Sequence, residues 1–168
     1  KSFMAKFLAE KFGGTYVPEY GRPYEKFRKP GPYRAEELHW IVDGHEAHRK
    51  TLARNAGPIL FEDTDALLTA VWAEMLLGQS LPDLEARIVL PDHYLLLDHN
   101  VAWENDPIRY FGKAELRKEF FDKTLAKLTK HGASWTLVDG DYARREARAI
   151  EVTRAMMKSP KLTVGSLE

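Results

Sequence analysis

Two hydrophobic periods alternate along the chain. Phe3, Met4, Phe7, Leu8 and Phe12 recur at helical spacing, and Gly13-Gly14 follow as a stop. Leu38, Ile41, Val42, His45 and Leu52 form a second apolar stripe between Arg34 and about Asn55, closed by Gly57-Pro58. Leu67, Leu68, Val71, Trp72, Met75 and Leu76 predict a third helix ending at Gly78, with a shorter one over Leu84 to Val89. Leu116, Phe120, Phe121, Leu125 and Leu128 line a further helix, and Tyr142 to about Lys158 make the last. Between these stripes lie short, strongly apolar or β-prone runs: TYVP (15–18), PILFEDTD (58–65), HYLLLD (93–98) and SWTLVD (134–139). Unbroken apolar runs of this length suit strands buried on both faces.

Strands alternating with helices predict an α/β fold, a parallel sheet with right-handed crossovers flanked by helices in three layers. The strands run into carboxylates: Glu19, Asp63 and Asp65, Asp98, and Asp139. Ligands of such sheets bind outside the carboxyl ends of the strands, so these acids should gather where chemistry is done. The first element is a helix headed by Lys1-Ser2, and G-x-x-x-x-G-K-S/T is a phosphate-binding motif that ends in this dipeptide and leads straight into a helix. The expectation is a first strand and glycine loop upstream of Lys1, supplying the central strand. No internal repeat or second domain is visible. Residues 1–158 read as one domain and 159–168 as a loose, in part vector-derived tail.

Composition narrows the partners more than the fold. Among 168 residues, 25 Lys and Arg balance 25 Asp and Glu, so no overall field points to nucleic acid or an anionic membrane. The lack of cysteine excludes disulfides and thiolate metal sites, and fits a reducing compartment. No apolar run approaches the ~20 residues needed to cross a bilayer, and no signal peptide is visible. A cytoplasmic protein is expected, with small-molecule partners.

Four stretches carry candidate chemistry. In ILFEDTD, Asp63 stands where phosphoryl-transfer enzymes hold Mg²⁺, with Asp65 close by; the alternative is that Asp63 or Thr64 caps the following helix. In PEYGR, Glu19 follows the strand after the first helix, where a carboxylate can take the proton of an attacking hydroxyl, and Arg22 holds a phosphate or pairs with Glu19. WENDPIRYFG reads as a loop that closes over a nucleotide with Arg109 on the transferring phosphoryl group, while Trp103, Tyr110 and Phe111 exclude water or stack on a base; the alternative is a solvated loop. His45 and His48 are three apart and do not form H-E-x-x-H, so His45 is expected in the core and His48 in solvent. No serine stands in a nucleophile-elbow context.

Lys1-Ser2, EYGR, FEDTD, WENDPIRYFG and the terminal strand–helix, in this order and spacing, resemble the kinase domain of bacterial NAD-biosynthesis regulators, the nicotinamide riboside kinases of the P-loop class. The likeness runs to about Met157. It implies transfer of the γ-phosphoryl of ATP, with Mg²⁺, to the 5′-hydroxyl of nicotinamide riboside. By position, it implies Lys1 on the β/γ-phosphates and Ser2 and Asp63 serving Mg²⁺. Glu19 would then stand beside the acceptor hydroxyl, Arg109 would be the lid arginine, and Tyr20, Arg22, Asp65 and Trp103 would be acceptor contacts. Two lid positions depart from the pattern, with Asn105 in place of a carboxylate and Pro107 in place of glycine. Two alternatives stay open: the same chemistry on another nucleoside or small heterocyclic alcohol, and a regulatory module that binds nucleotide without turnover.

Overall fold

The computed structural model describes residues 1–100 and 112–158. Its elements follow the order read from the hydrophobic pattern. They are α1 (Ser2–Phe12), β1 (Thr15–Val17), α2 (Gly21–Glu25), α3 (Ala35–Ala53), β2 (Leu60–Glu62), α4 (Ala66–Leu77), α5 (Pro82–Glu85), β3 (Tyr94–Leu97), α6 (Ala114–Lys130), β4 (Trp135–Val138) and α7 (Tyr142–Lys158). Gly13 ends α1 in the left-handed conformation, φ 62°, which lets the chain turn sharply into β1.

Three expectations need correction. The stretch from Glu19 to Tyr33 is rich in Gly, Pro, aromatic and basic residues, which predicts a substantial loop, but Gly21–Glu25 forms the short α2, with Pro23 still in the first turn where its missing N–H costs nothing. The helix placed at Leu84 to Val89 starts earlier, since Pro82 provides a pre-set φ at its first position. The described strands do not form one ladder: β1 pairs β2 and β3 pairs β4, each in parallel, as two separate pairs.

Helices bury the strands through distinct clusters. Met4, Leu8 and Ala9 of α1 meet Phe61 of β2 and Ala149 of α7, with Ile59 and Leu95 packed alongside. Leu38, Ile41 and Val42 of α3 pack on Ala66, Ala70 and Ala73 of α4 and on Leu84 of α5. Leu67, Leu96 and Leu128 join α4, β3 and α6. Leu95 and Leu96 are neighbours on one strand and face opposite ways, so β3 is covered on both faces. No described helix is long and apolar enough to cross a membrane.

Buried charge fixes the outer helices. Lys127 of α6, only 5% exposed, reaches Glu74 of α4 at 2.7 Å and Glu85 of α5 at 2.5 Å, and Lys130 adds a second contact to Glu85 at 2.6 Å. Hydrogen bonds from Lys127 and Lys130 outweigh burial and pull the Glu85 carboxyl down to about 2. A carboxylate depressed in the fold stabilises it above its unfolded pKa and loses that contribution as pH falls through the folded value. Acid is therefore expected to loosen the α4–α5–α6 corner between about pH 4.3 and pH 2. Urea melts at stepped pH check this: Glu85→Gln should remove that component of the acid loss, and an unchanged profile would contradict it.

Glu37 does the same for the segment that leads from β1 into α3. Its buried carboxylate accepts from the Arg34 backbone N–H at 2.9 Å and from the Tyr24 hydroxyl at 2.9 Å. Arg28 approaches it at 3.4 Å and stacks on Tyr33, so α2 and the loop after it are tied to the start of α3.

Candidate active site

The parallel pairing of β1 and β2 brings two carboxylates to one end. The register sets Val17 beside Glu62, and the Asp63 N–H extends the ladder to the Val17 carbonyl at 3.1 Å. Asp63 therefore leaves the end of β2 held by backbone, and its side chain is fully buried. Glu19 follows β1 two residues beyond its end and is 20% exposed.

Lys1 joins them. Its ammonium lies 3.1 Å from Asp63 Oδ1 and 3.4 Å from Glu19 Oε2. Arg22, in the first turn of α2, donates from Nε to Glu19 Oε1 at 2.5 Å, so Glu19 is gripped from both sides by cations. The Ser2 hydroxyl hydrogen-bonds Asp63 as well. Lys1, Ser2, Glu19, Arg22 and Asp63, chosen from three separate stretches of sequence, thus converge.

The electrostatics agree with this geometry. Burial alone would raise the Asp63 carboxyl; the Lys1 charge, with hydrogen bonds from Ser2 and Lys1, overcomes it and holds the group below the ordinary carboxylate value. Desolvation pulls Lys1 downward, yet Asp63 and Glu19 together raise it, so the ammonium stays charged.

Sequence reasoning missed Tyr16. Its hydroxyl donates to Asp63 Oδ2 at 3.3 Å, and burial together with the Asp63 charge pushes the phenol up to about 12. Tyr16 is in register with Phe61, two residues before Asp63 on the same face, and a tyrosine is long enough for that diagonal reach. Only the register reveals the contact.

Asp65 occupies a different place. It is the N-cap of α4, where Oδ1 accepts from the Leu68 N–H at 2.8 Å. The alternative that Asp63 or Thr64 caps this helix is therefore not realised; Asp65 does so. Its other oxygen accepts from the Tyr94 hydroxyl at 2.5 Å, and burial raises its carboxyl despite these two bonds. His45 is buried and lies 3.1 Å from Glu62, and His48 is exposed, as the helix pattern predicted. Tyr20 sits at the head of α2. Asp98 and Asp139 belong to the ends of the other pair, where buried Arg145 donates to the Asp98 and Gly140 carbonyls at 2.9 and 2.6 Å. Trp103 and Arg109, with Asn105, Pro107, Tyr110 and Phe111, lie outside the described residues.

The donor set suits a hard cation that arrives with its ligand. Among the described residues no group of three or more His, Cys, Asp or Glu could hold a metal ion alone. Asp63 and Ser2 offer an ionised and a neutral oxygen, and Mg²⁺ characteristically takes one or two such protein oxygens plus phosphate oxygens and water. The residues present fit Mg²⁺ borne by a polyphosphate.

The chain is 30% identical over 166 residues to the trifunctional NAD biosynthesis/regulator protein NadR of Escherichia coli (strain K12), covering 94% of this chain and 40% of that protein. It is 28% identical over 166 residues to the protein of the same name in Salmonella typhimurium (strain LT2), with the same coverage. The chain spans about two-fifths of the length of these curated relatives. The resemblance drawn from EYGR, FEDTD and their order is thereby borne out. A model described as AAA domain matches residues 1–145, and the chain belongs to that family of P-loop nucleotide-binding domains.

Proposed function

We propose that the chain is a small-molecule kinase domain that moves the γ-phosphoryl of ATP to the 5′-hydroxyl of nicotinamide riboside, giving the mononucleotide and ADP. The observation that carries this reading is Lys1, held between Asp63 and Glu19 at the open end of β1 and β2. One cation and two carboxylates there can serve both halves of a transfer, the phosphates on one side and the acceptor hydroxyl on the other. The relatives' printed function in NAD biosynthesis and regulation supports a nucleoside precursor of NAD as acceptor.

Each residue then has a task. Lys1 exchanges its carboxylate partners for the β/γ-phosphates, whose charge outbids that of a single carboxylate. Asp63 and Ser2 would hold Mg²⁺, which would supply charge neutralisation for the transferring phosphoryl group. Tyr16 fixes the Asp63 carboxylate from behind. Glu19 accepts the proton of the 5′-hydroxyl as its oxygen bonds to the γ-phosphorus and the bond from that phosphorus to the β–γ bridging oxygen breaks. Arg22 keeps Glu19 oriented. Tyr20, Asp65 and Trp103 contact the acceptor, and Arg109 closes over the phosphoryl group. Catalysis of this kind rests on positioning and charge neutralisation. The same reading completes the divided sheet with a strand and glycine loop leading into Lys1, in a three-layer fold; its support is the split between the β1–β2 and β3–β4 pairs.

Calorimetry on the full-length protein tests the choice of acceptor. With Mg²⁺ and a non-hydrolysable ATP analogue present, nicotinamide riboside should bind at least about tenfold more tightly than adenosine, uridine, thymidine or a thiamine-like alcohol. Equal affinity across the panel, or tighter binding of another member, would overturn the assignment.

A further inference from the structure

Near the middle of the 19-residue α3 stands Gly44, and glycine is among the poorest residues at a helix interior. Its surroundings explain its presence. A Cβ built on Gly44 would lie 2.2 Å from Cε1 of Tyr20 and 2.4 Å from both Cδ1 and Cζ, so the tyrosine ring rests directly on the backbone of α3. One turn further along, His48 packs edge-on against the same ring, with centroids 6.0 Å apart and planes at 89°. Gly44 provides the floor and His48 the wall of a seat for one aromatic side chain.

Tyr20 is a consequential residue to seat. It directly follows Glu19 and is the N-cap of α2, where its carbonyl accepts the Tyr24 N–H at 3.2 Å. Two residues on, Arg22 grips Glu19. A tyrosine fixed on α3 therefore sets where the backbone of Glu19 stands and where α2 presents Arg22. The same segment is anchored downstream through Tyr24 and Arg28 on Glu37, while Tyr20, next to Glu19 in the chain, packs on the middle of α3.

We propose that Gly44, with His48, is a positioning residue for the acceptor end of the site, acting through Tyr20 on Glu19 and Arg22. This rests on the reading of Glu19 as the residue beside the acceptor hydroxyl. Gly44 touches no reacting atom. Its contribution is the absence of a side chain.

Gly44→Ala in the full-length protein separates this from ordinary packing. The atoms a methyl would meet belong to the outer ring of Tyr20, which swings aside while α3 gains a better helix former. The melting point should not fall below that of the parent. Relative to the parent, kcat/KM for nicotinamide riboside should drop roughly 10- to 100-fold, since a displacement of about 1 Å in a positioned group has that effect, while KM for ATP stays within about twofold. His48 ring-proton resonances should move as the ring current of Tyr20 leaves them. In a Tyr20→Ala background, Gly44→Ala should cause no further loss, because both act through one contact.

Parent-like kinetics in Gly44→Ala, losses that add in the double variant, or a KM effect confined to ATP would overturn the proposal. A parent protein that phosphorylates no acceptor, in which Gly44→Ala nonetheless moves the His48 resonances, would overturn the acceptor reading and the positioning role with it, while leaving the seat itself demonstrated.

Discussion

Glu19→Gln is expected to lower turnover by roughly 10²- to 10⁴-fold while leaving ATP affinity within about twofold of the parent, the range lost when a positioned proton acceptor is removed. The amide keeps the size of the side chain and an oxygen for Arg22, which approaches Glu19 at 2.5 Å, so the local fold should survive. It cannot take a proton from a hydroxyl. Lys1 retains Asp63 at 3.1 Å and stays in place to receive phosphate, so nucleotide binding is spared. Steady-state kinetics beside calorimetric ATP titration separate the two quantities. Parent-like turnover in Glu19→Gln would remove Glu19 from the chemistry, and a parallel loss of ATP binding would recast it as part of the nucleotide site.

Asp63→Asn should cut turnover by roughly 10²- to 10³-fold, the scale of losing one preorganised charge, and shift the Mg²⁺ dependence upward. Here the fold should suffer too. Asp63 is fully buried and joins Lys1, Tyr16, Ser2 and the end of β1. Lys1 is 42% exposed, so water screens that pair, and the expected loss is about 1–2 kcal/mol, the value of a charged hydrogen-bonded group in such a setting. The pH dependence follows from the depressed carboxyl. Its stabilisation is complete above the ordinary value of 3.8 and disappears as pH falls through the lower folded value. Melts of parent and Asp63→Asn should therefore differ at pH 7 and converge in strong acid. An unchanged Mg²⁺ dependence would contradict the role given to Asp63.

What could be read in the sequence, and what could not, divides along physical lines. Helices α1, α3, α4 and α6 were legible because each carries an apolar stripe several turns long, closed for α1 and α4 by a left-handed glycine. The short α2 was not, since its Gly-Arg-Pro start has the composition of a loop and its fold is imposed by contacts to Glu37 and Gly44. Strand order was equally hidden: four apolar runs predict a parallel sheet but do not say that β1 pairs β2 and β3 pairs β4.

At the site, Glu19 and Asp63 were legible because strand ends place polar residues at a ligand-facing edge, and Lys1-Ser2 because it heads a helix. Their convergence within 3.4 Å is a property of the β1–β2 register. That register also aims Tyr16 at Asp63 and leaves the helix cap to Asp65, details that residue spacing alone does not encode. The seat for Tyr20 was hidden for a related reason. A glycine inside an otherwise regular helix signals a close approach but not by what.

Phosphoryl transfer by the full-length protein, with Mg²⁺-ATP and a panel of nucleosides and small alcohols, tests the central claim most directly, with product identified as well as ADP counted. ADP formation strictly dependent on nicotinamide riboside, with its 5′-mononucleotide as product in equal amount, is the predicted result. Tight ATP binding with no transfer to any acceptor would contradict the kinase assignment and leave a nucleotide-binding regulatory module in its place.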